Sequence, residues 1–432
     1  MEITLRHPVL QGTIAAIPSK SHVHRLLICA SLADGPSVIR CPLTSNDIDA
    51  TVRCMTGLGA GIDRVGDSFH VTPIPYGENG HLSAAGAVID CGESGSTMRF
   101  LLPVLCALGR GGALLGHGRL PERPLSPLYE ELTAHGALLS PQGTNPFAVK
   151  GTLTPGSYTI DGSVSSQFIS GLLFALPLLQ GESTLAITGK LESAPYITLT
   201  LQALAAFGVN ITKESDVFYR IRPCRYRTPG TVTAEGDWSN GAFWLAAGAL
   251  SETGLTIAGL SKDSVQGDAA IIPILEKMGA SVLRENGMLT IRGGRLRGCE
   301  IDGAQIPDLV PVLSVAAAAA EGETVIRNIG RLRLKESDRI ASVTDMLTRL
   351  GAKNVTSGPD WLKIGGGGLT GGTVEAWNDH RIVMSAGIAS TVCPQPVTVT
   401  GAEAADKSYP TFFDDLDRLT RRDFICTMCR GK

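Results

Sequence analysis

The chain has 432 residues, more than one hydrophobic core of usual size accommodates, so two domains are expected. Hydrophobic residues make up 43% and charged residues 18%, a balance typical of soluble globular proteins. The formal net charge of −3 argues against a basic surface for nucleic acid or for an anionic membrane. A site for anionic ligands would therefore have to be built locally.

The N-terminal residues lack a basic segment followed by an apolar run, so no export signal is predicted. The apolar run 312–320 is interrupted by Ser314 and is too short to span a bilayer. Ten cysteines in an unexported chain are expected to be reduced thiols, and Cys426 and Cys429 are interpreted in the same way. We expect a cytoplasmic protein.

The first helix signal is an apolar run, 26–32, that follows a polar start at 19–25. In each of five later segments, a predicted helix ends in a glycine that is followed by Ala or Val. A glycine just past a helix end commonly adopts the left-handed conformation, so each marks a passage from helix to strand. These glycines recur at intervals of 71 to 77 residues: Gly59, Gly136, Gly208, Gly279 and Gly351.

A second marker runs in phase with the glycines. It consists of aspartates spaced 71 to 76 residues apart: Asp90, Asp161, Asp237, Asp308 and Asp379. Each precedes a run of small and apolar residues, and because Asp and Ser are good N-caps, the markers are predicted to lie at helix N-termini. β-type stretches such as 184–188 follow these runs.

Each unit therefore reads strand, helix, strand, helix, strand, strand in about 72 residues, and six units suggest three per domain. The most apolar predicted helices, such as 310–320, carry almost no charge and should be buried on all sides. We expect an α/β fold in which strands and outer helices surround a helical core in each domain.

Polar and cationic residues concentrate at these predicted helix starts. They are Lys20, Ser21, Arg25, Ser94, Gly95, Ser96, Arg99, Ser165, Ser166, Gln167, His380 and Arg381. Helix N-termini attract anions, and hydroxyls and cations there suit phosphate and carboxylate ligands. Capping alone explains the serines but not the cations, which oppose the helix dipole, so anion binding is favoured.

The run 331–339 carries several charges. Its early alternation predicts the end of a strand, after which Lys335, Glu336 and Arg339 would share one helical face. The run is either a surface salt-bridge segment or an acid held among cations that bind substrate. For Asp308 the sequence leaves two roles equally open, an N-cap or a carboxylate at a buried cleft.

Other motifs give weak or negative signals. Arg123 follows Pro121 in a rigid turn, which alone indicates little. The glycines of 366–371 match a dinucleotide fingerprint, but a predicted strand follows them where a helix is required. His22 and His24 lack further ligands at metal-site spacing, so no metal site is predicted.

Taken together, five segments resemble the 5-enolpyruvylshikimate-3-phosphate synthase family: 18–25, 161–167, 192–196, 331–339 and 378–381. The matches run in the family's order from Lys20 to Lys407. The resemblance implies two inside-out α/β barrel domains, each of three βαβαββ repeats, hinged around a central cleft. The implied domains are 18–234, and 1–17 with 235–432.

The resemblance also implies the reaction and its residues. Phosphoenolpyruvate would give its enolpyruvyl group to shikimate 3-phosphate with no metal or organic cofactor and no macromolecular partner, in a monomer. Shikimate 3-phosphate would contact Lys20, Ser21, Arg25, Ser165, Ser166, Gln167, Ser193, Tyr196, Asp308 and Lys335. Phosphoenolpyruvate would contact Lys20, Gly95, Arg123, Gln167, Arg339, Arg381 and Lys407. The catalytic residues would be Asp308, Glu336 and Lys20.

One segment departs from the family pattern, because Glu93 stands where the family has an asparagine. Two alternatives remain at this stage. The related transferase that acts on UDP-N-acetylglucosamine carries a loop cysteine, whereas 120–128 contains none. A six-repeat DNA clamp would need a basic inner surface, which the net charge does not favour.

Overall fold

A computed structural model of the chain describes residues 1–77, 82–83 and 86–420. Cys426 and Cys429, predicted to be reduced thiols, lie outside the described residues. Within the described part, no helix is both long and apolar enough to cross a membrane.

The strands are numbered in chain order. They are β1 (Glu2–Leu5), β2 (Thr13–Ala15), β3 (Ser37–Arg40), β4 (Gly61–Val65), β5 (Ser68–Thr72), β6 (Ala87–Asp90), β7 (Gly112–Leu115), β8 (Ala137–Leu139), β9 (Phe147–Gly151), β10 (Ser157–Asp161), β11 (Ser183–Thr188), β12 (Thr212–Ser215), β13 (Phe218–Ile221), β14 (Thr231–Thr233), β15 (Leu255–Ala258), β16 (Ser281–Glu285), β17 (Met288–Arg292), β18 (Glu300–Asp302), β19 (Glu323–Arg327), β20 (Val355–Ser357), β21 (Trp361–Gly365), β22 (Gly372–Glu375) and β23 (Val397–Thr400).

The α-helices are α1 (Lys20–Ser31), α2 (Asn46–Gly57), α3 (Gly95–Leu108), α4 (Leu128–Ala134), α5 (Ser166–Ala175), α6 (Ala194–Ala206), α7 (Trp238–Ala249), α8 (Ile271–Met278), α9 (Val310–Ala319), α10 (Arg339–Arg349), α11 (His380–Ala389) and α12 (Phe412–Leu419). Short 3-10 helices span Leu120–Glu122, Leu176–Leu178, Gly267–Ala270, Gly330–Leu334 and Ala402–Lys407.

The chain divides into two compact units. The first unit is Lys20–Ala234, and the second unit is Met1–Ser19 together with the residues from Glu235 onward. The observed first boundary lies two residues after the one that the family resemblance implies. The chain passes between the units twice, at 19–20 and at 234–235.

The six small sheets of the described residues follow one scheme. In the sheet β6-β7-β9-β8, β6 pairs parallel with β7, and β9 then pairs antiparallel with β7 and β8. Four other sheets repeat this order, and the last contains β1, β23 and β22. This is the predicted βαβαββ unit, which is therefore confirmed.

Two strands are exchanged relative to a simple tandem repeat. β14 pairs parallel with β3 of the first repeat, with Thr231 opposite Val38. β2 pairs parallel with β15, with Thr256 opposite Thr13. Each strand therefore pairs with a strand that lies more than 190 positions away in the sequence.

Helices form the interior of each unit, as the apolar runs predicted. Every residue of α7 and α11 is buried, as are nine of the ten residues of α9, and these three helices pack against each other in the second unit. In the first unit α3 packs closely on α5. A Cβ at Gly171 would lie 2.7 Å from the carbonyl oxygen of Arg99, so the small residue allows this close approach.

The predicted repeat glycines all adopt the left-handed conformation. Their φ angles are between 73° and 112° for Gly59, Gly136, Gly208, Gly279 and Gly351. A side chain is strained in this region, so glycine is the favoured residue where each helix turns toward its next strand. The prediction from their spacing is confirmed.

The aspartate markers are only partly N-caps. Asp237 accepts a hydrogen bond from the Asn240 amide and caps α7, and Asp379 caps α11 through the Arg381 amide. Of the two roles left open for Asp308, the N-cap is excluded, because Leu309 occupies that position of α9.

The predicted N-cap role is wrong for the first two aspartate markers, Asp90 and Asp161. Asp90 and Asp161 are the last residues of β6 and β10, and each accepts a hydrogen bond from an amide two residues on. Ser94 and Ser165 cap the helices that follow. A carboxylate that bonds two residues ahead forms a turn, which competes with its use as a cap.

The predicted strand end near 331 is also incorrect. Residues 330–334 form a 3-10 helix, with Leu332 buried and Leu334 exposed. Arg333 stabilises this conformation by donating to the carbonyl oxygens of Gly358 and Pro359. Nor do the next charged residues share a helical face, because α10 begins only at 339, after the N-cap Asp338.

Candidate active site

In the second unit, one buried arginine bonds three carboxylates. Arg339 donates from Nη1 to Asp308 at 2.6 Å, from Nη2 to Glu336 at 2.8 Å and from Nε to Asp379 at 2.8 Å. The Arg339 side chain is only 1% exposed, whereas those of Asp308 and Glu336 are 19% and 21% exposed. We call these four residues the arginine–carboxylate cluster.

The helix starts explain why the cluster forms. Arg339 is the first residue of α10, Asp379 caps α11, and Asp308 lies two residues before α9. A cation in the first turn of a helix is disfavoured by the dipole, and burial adds a desolvation cost. The surrounding carboxylates offset both effects. Asp308 and Glu336, left open between structural and chemical roles by the sequence, therefore meet at one guanidinium.

Other predicted site cations lie beside this cluster. Arg381 Nη2 is 3.6 Å from Asp308 Oδ2, and its Nη1 donates to the Ser239 carbonyl oxygen at 2.9 Å. Lys407 donates to the carbonyl oxygen of Asn378 at 2.7 Å, just before α11. The starts of α7, α9, α10 and α11 are thus joined by side-chain contacts.

Neighbouring charges shift the pKa values of two residues at this site, Asp308 and Lys335. Burial by itself raises the pKa of Asp308, but Arg381, Lys335 and Arg339 outweigh burial and hold that pKa well below its usual range. Asp308 is therefore ionised at neutral pH. Burial, together with the charges of Arg331 and Arg339, lowers the pKa of Lys335 to about 8. Lys335 is therefore mostly a cation at neutral pH.

In the first unit, Lys20 forms an ion pair with a residue that the sequence did not single out. Lys20 Nζ lies 2.8 Å from Asp47 Oδ2, and the two side chains are 13% and 12% exposed. Lys20 begins α1, and Asp47 lies in the first turn of α2, where a carboxylate is favoured by the dipole. The pair joins two helix starts.

Arg25 is held within the fold. It is 2% exposed and donates to the Thr200 hydroxyl at 2.8 Å and to the carbonyl oxygens of Ser21 and Tyr196. Its guanidinium carbon also lies 6.0 Å from the centre of the Tyr196 ring. Arg25 therefore fixes α1 against α6, and any substrate contact would come in addition to this role.

The starts of α3 and α5 are joined by Gln167. Its amide donates to the Ser96 hydroxyl at 2.9 Å and accepts from Arg99 at 3.1 Å. Arg123 approaches the same place, since a Cβ on Gly95 would lie 2.6 Å from Arg123 Nη1. Gly95 therefore leaves room for this guanidinium.

The remaining predicted residues of the first unit lie at helix starts. Ser165 caps α5 through the Gln167 amide, and Ser166 is buried in its first position. Ser193 is the N-cap residue of α6, buried, with a φ of 56°. Glu93, which departs from the family pattern, packs against Gly118.

The structure adds residues that sequence reasoning missed. Asp47 and Ser239 are buried polar residues at the starts of α2 and α7, and the buried Asp268, in the 3-10 helix Gly267–Ala270, accepts from the Ser239 hydroxyl. Asp379 was noted as a repeat marker, but its bonds to Arg339 were not foreseen. Long-range pairing carries no signal in a single sequence; for Asp47 the available signal was its place in an acidic first helical turn.

A separate cavity of about 760 Å³ lies in the first unit at the C-terminal ends of α3 and α5, lined by residues such as Leu108, Leu179 and Arg225. The predicted site residues do not line it. Among residues 1–77, 82–83 and 86–420, no group of three or more His, Cys, Asp or Glu side chains is arranged to hold a metal ion.

Comparison with known proteins extends over nearly the whole chain. The family model of EPSP synthase (3-phosphoshikimate 1-carboxyvinyltransferase) matches residues 6–416. The chain belongs to the EPSP synthase family. A 3-phosphoshikimate 1-carboxyvinyltransferase of Clostridium botulinum is 41% identical over 414 residues, covering 95% of each chain. One of Clostridium kluyveri is 38% identical over 418 residues, covering 96% of this chain and 97% of that protein.

The EPSP synthase fold is also found by structural comparison. An EPSP synthase from Acinetobacter baumannii has a solved structure that matches with a TM-score of 0.80 at 25% identity, covering 97% of this chain and 98% of that chain. The α/β fold class predicted from the sequence is confirmed. Membership of the EPSP synthase family identifies an enzyme of the alkyl-group transferases, in preference to the UDP-N-acetylglucosamine transferase and the DNA clamp.

Proposed function

We propose that this chain transfers the enolpyruvyl group of phosphoenolpyruvate to the 5-hydroxyl of shikimate 3-phosphate, in the shikimate pathway. The observation that carries the chemical proposal is the bonding of Asp308 and Glu336 to the single guanidinium of Arg339. Two partly exposed carboxylates at one cationic centre can serve as separate acid and base toward a bound anion. Family membership supplies the substrates.

The second unit would provide the acid and base. Asp308, kept ionised by the cations around it, would take the proton of the 5-hydroxyl. Glu336 would deliver a proton to C3 of the enol phosphate. Both would depend on Arg339 for their position, because its nitrogens hold the two carboxylates. Arg339, Arg381 and Lys407 would bind phosphoenolpyruvate, and Lys335 would bind shikimate 3-phosphate.

The first unit would provide most contacts to shikimate 3-phosphate. The candidates are the residues at the starts of α1, α5 and α6: Lys20, Ser21, Arg25, Ser165, Ser166, Gln167, Ser193 and Tyr196. Hydroxyls and amides at helix N-termini bind phosphate and carboxylate oxygens well. Gly95, Arg123, Gln167 and Lys20 would contact phosphoenolpyruvate, and Lys20 would stabilise the leaving phosphate.

The proposed reaction balances without a redox step. Protonation of C3 by Glu336 converts the enol phosphate into a species with cationic character at C2, and the 5-oxygen forms a bond there as it loses its proton. The resulting tetrahedral adduct then loses phosphate from C2 and a proton from C3, which restores the enol. Fixed cations stabilise the anionic groups throughout these steps.

A single assay tests the proposal. The purified chain is incubated with shikimate 3-phosphate and phosphoenolpyruvate as the only additions, and phosphorus NMR follows both reactants. We expect one phosphate released for each enolpyruvyl product formed. UDP-N-acetylglucosamine in place of shikimate 3-phosphate serves as the matched control. Turnover with the nucleotide sugar alone would reject the proposed acceptor.

The cytoplasmic location and the monomeric state remain predictions from the sequence. Size-exclusion chromatography with light scattering measures the mass in solution, and we expect the 45.3 kDa of one chain. A mass of twice that value, maintained on dilution, would contradict the predicted monomer.

A further inference from the structure

The second unit contains a buried carboxylate to which the proposed reaction gives no role. Asp268 lies in the 3-10 helix Gly267–Ala270 and is 1% exposed. It accepts a hydrogen bond from the hydroxyl of Ser239. Burying a carboxylate is costly unless neighbouring groups compensate it, so the contacts of Asp268 indicate what holds it there.

These contacts lead directly to the arginine–carboxylate cluster. Ser239 is the second residue of α7, and its carbonyl oxygen accepts from Arg381 Nη1 at 2.9 Å. The other terminal nitrogen of Arg381 lies 3.6 Å from Asp308 Oδ2. Asp268 and Asp308 are therefore connected through one serine and one guanidinium.

The neighbouring Gln266 holds the same helix start from another direction. Its side-chain oxygen accepts from the Trp238 amide at 3.1 Å, and its nitrogen donates to the Gly236 carbonyl oxygen at 2.8 Å. Segment 266–268 thus fixes both the approach to α7 and its first turn. The carbonyl group that orients Arg381 belongs to this fixed turn.

Charges around Asp268 couple it to the cluster. Burial raises the pKa of Asp268 to about 7, and the carboxylates of Asp308 and Asp237 add to that rise. The Ser239 hydroxyl and the Arg381 guanidinium act in the opposite direction. The guanidinium of Arg381 therefore lies in the field of more than one carboxylate, and its orientation depends on the groups that fix the start of α7.

We propose that Asp268 is a positioning residue, which fixes the Arg381 guanidinium through Ser239 and thereby sets the affinity for the carboxylate of phosphoenolpyruvate. The second half of this inference rests on the proposed function, because contact between Arg381 and phosphoenolpyruvate is part of that proposal. The first half, the orientation of Arg381 by Asp268, does not depend on it.

The test compares Asp268→Ala, Asp268→Asn and Ser239→Ala with the control Ser390→Ala. Ser390 is a buried hydroxyl at the other end of the helix of Arg381, bonded to the Gly387 carbonyl oxygen. We expect Asp268→Ala and Ser239→Ala to raise KM for phosphoenolpyruvate about tenfold, the equivalent of one hydrogen bond. KM for shikimate 3-phosphate should stay within about twofold. Asp268→Asn keeps an acceptor oxygen and should recover most of the affinity.

A second measurement observes the Arg381 side chain directly, in the absence of catalysis. Nitrogen-15 NMR of the arginine Nε–H groups, with the Arg381 signal assigned from Arg381→Lys, should show that signal shifted or broadened in Asp268→Ala and unchanged in Ser390→Ala. An unchanged signal in Asp268→Ala would overturn the positioning role. A shifted signal with an unchanged KM for phosphoenolpyruvate would support positioning and reject the proposed substrate contact of Arg381.

Discussion

Asp308 Oδ1 accepts a hydrogen bond from Arg339 Nη1 at 2.6 Å, although the side chain of the arginine is buried and that of the aspartate is partly exposed. The bond leaves the second oxygen of Asp308 facing Arg381. The carboxylate is thus fixed in one orientation while it keeps access to solvent. A proton acceptor needs both properties, because it must be aligned with its donor and must later release the proton.

The first prediction concerns the two carboxylates. Asp308→Asn and Glu336→Gln keep shape but remove proton transfer, so turnover should fall by about 10²–10⁴ in each. Affinity for shikimate 3-phosphate should change little, because Lys335 and the proposed contacts of the first unit remain. Solvent deuterium exchange into the methylene of phosphoenolpyruvate, followed by proton NMR, should be lost in Glu336→Gln.

Asp345→Asn is the matched control for these variants. Asp345 pairs with Arg349 on α10, the helix that starts with Arg339, in a partly exposed ion pair. Removing such a pair should cost at most about 1 kcal/mol of unfolding free energy and leave turnover unchanged. Wild-type turnover in both Asp308→Asn and Glu336→Gln would reject the proposed acid and base.

The second prediction is that Arg339→Lys destabilises the second unit. Lysine cannot reproduce the fork that reaches three carboxylates, so at least one of Asp308, Glu336 and Asp379 would lose its bond to residue 339. Losing a hydrogen bond between charged groups costs roughly 1.5–3 kcal/mol, which urea unfolding would measure. Arg349→Lys alters the partly exposed ion pair between Arg349 and Asp345 on the same helix. This variant should change the free energy of unfolding by less than about 1 kcal/mol. Equal stability of the two variants would contradict the ion-pair account.

The third prediction is a pH dependence set by Lys335. Because its pKa is lowered to about 8, it is charged below that pH and loses the charge as pH rises. Affinity for shikimate 3-phosphate should therefore decline above about pH 8. Lys335→Arg, which stays charged, should move the decline to higher pH. Lys277→Arg is the control, since Lys277 is exposed and bonds the Glu300 carbonyl oxygen.

Stability should respond to the same group in the opposite direction. An unfolded lysine titrates near pH 10.4, so between about pH 8 and 10 the unfolded chain binds more protons than the folded chain. The contribution of Lys335 to the free energy of unfolding therefore increases with pH across this interval. Urea unfolding at several pH values should show this slope in the wild type and a smaller one in Lys335→Arg. An identical slope in both would assign it to other groups.

The fourth prediction is that turnover survives exhaustive chelation. In the proposed reaction, side chains such as Lys20, Arg123 and Arg381 would supply the charges that hold two anionic substrates, so a metal would have no step to perform. The phosphate-release assay is repeated after dialysis against EDTA. Activity lost on dialysis and recovered with one specific divalent ion would contradict this mechanism.

The repeat architecture could be predicted from the sequence because its signals are local. Gly136 and Gly279 mark helix ends through a backbone conformation that few other residues adopt, so spacing alone located them. Local signals alone also led to a wrong prediction, that of Asp90 as an N-cap, because its short side chain forms a turn at the end of β6. Local chemistry allows both uses, and only the position of the strand decides between them.

The sequence indicated charged and polar residues at helix starts, but not how these residues pair. Arg339 was expected near Glu336, which lies three positions before it. Its bonds to Asp308 and Asp379 instead join residues that are 31 and 40 positions apart in the sequence. Such contacts depend on how three helix starts converge, which a single sequence does not encode in any local pattern. For this reason the ion pair of Lys20 with Asp47 was also missed.

The exchanged strands have a consequence for synthesis on the ribosome. Lys20–Ala234 is a continuous stretch that contains every strand of its own sheets, so the first unit can complete itself as soon as β14 has emerged. Residues 1–19 are made before the first unit, yet β2 waits for β15 and β1 waits for β23, where Glu2 pairs with Thr400. Strands β1 and β2 therefore stay without these partners until β23 and β15 have been translated.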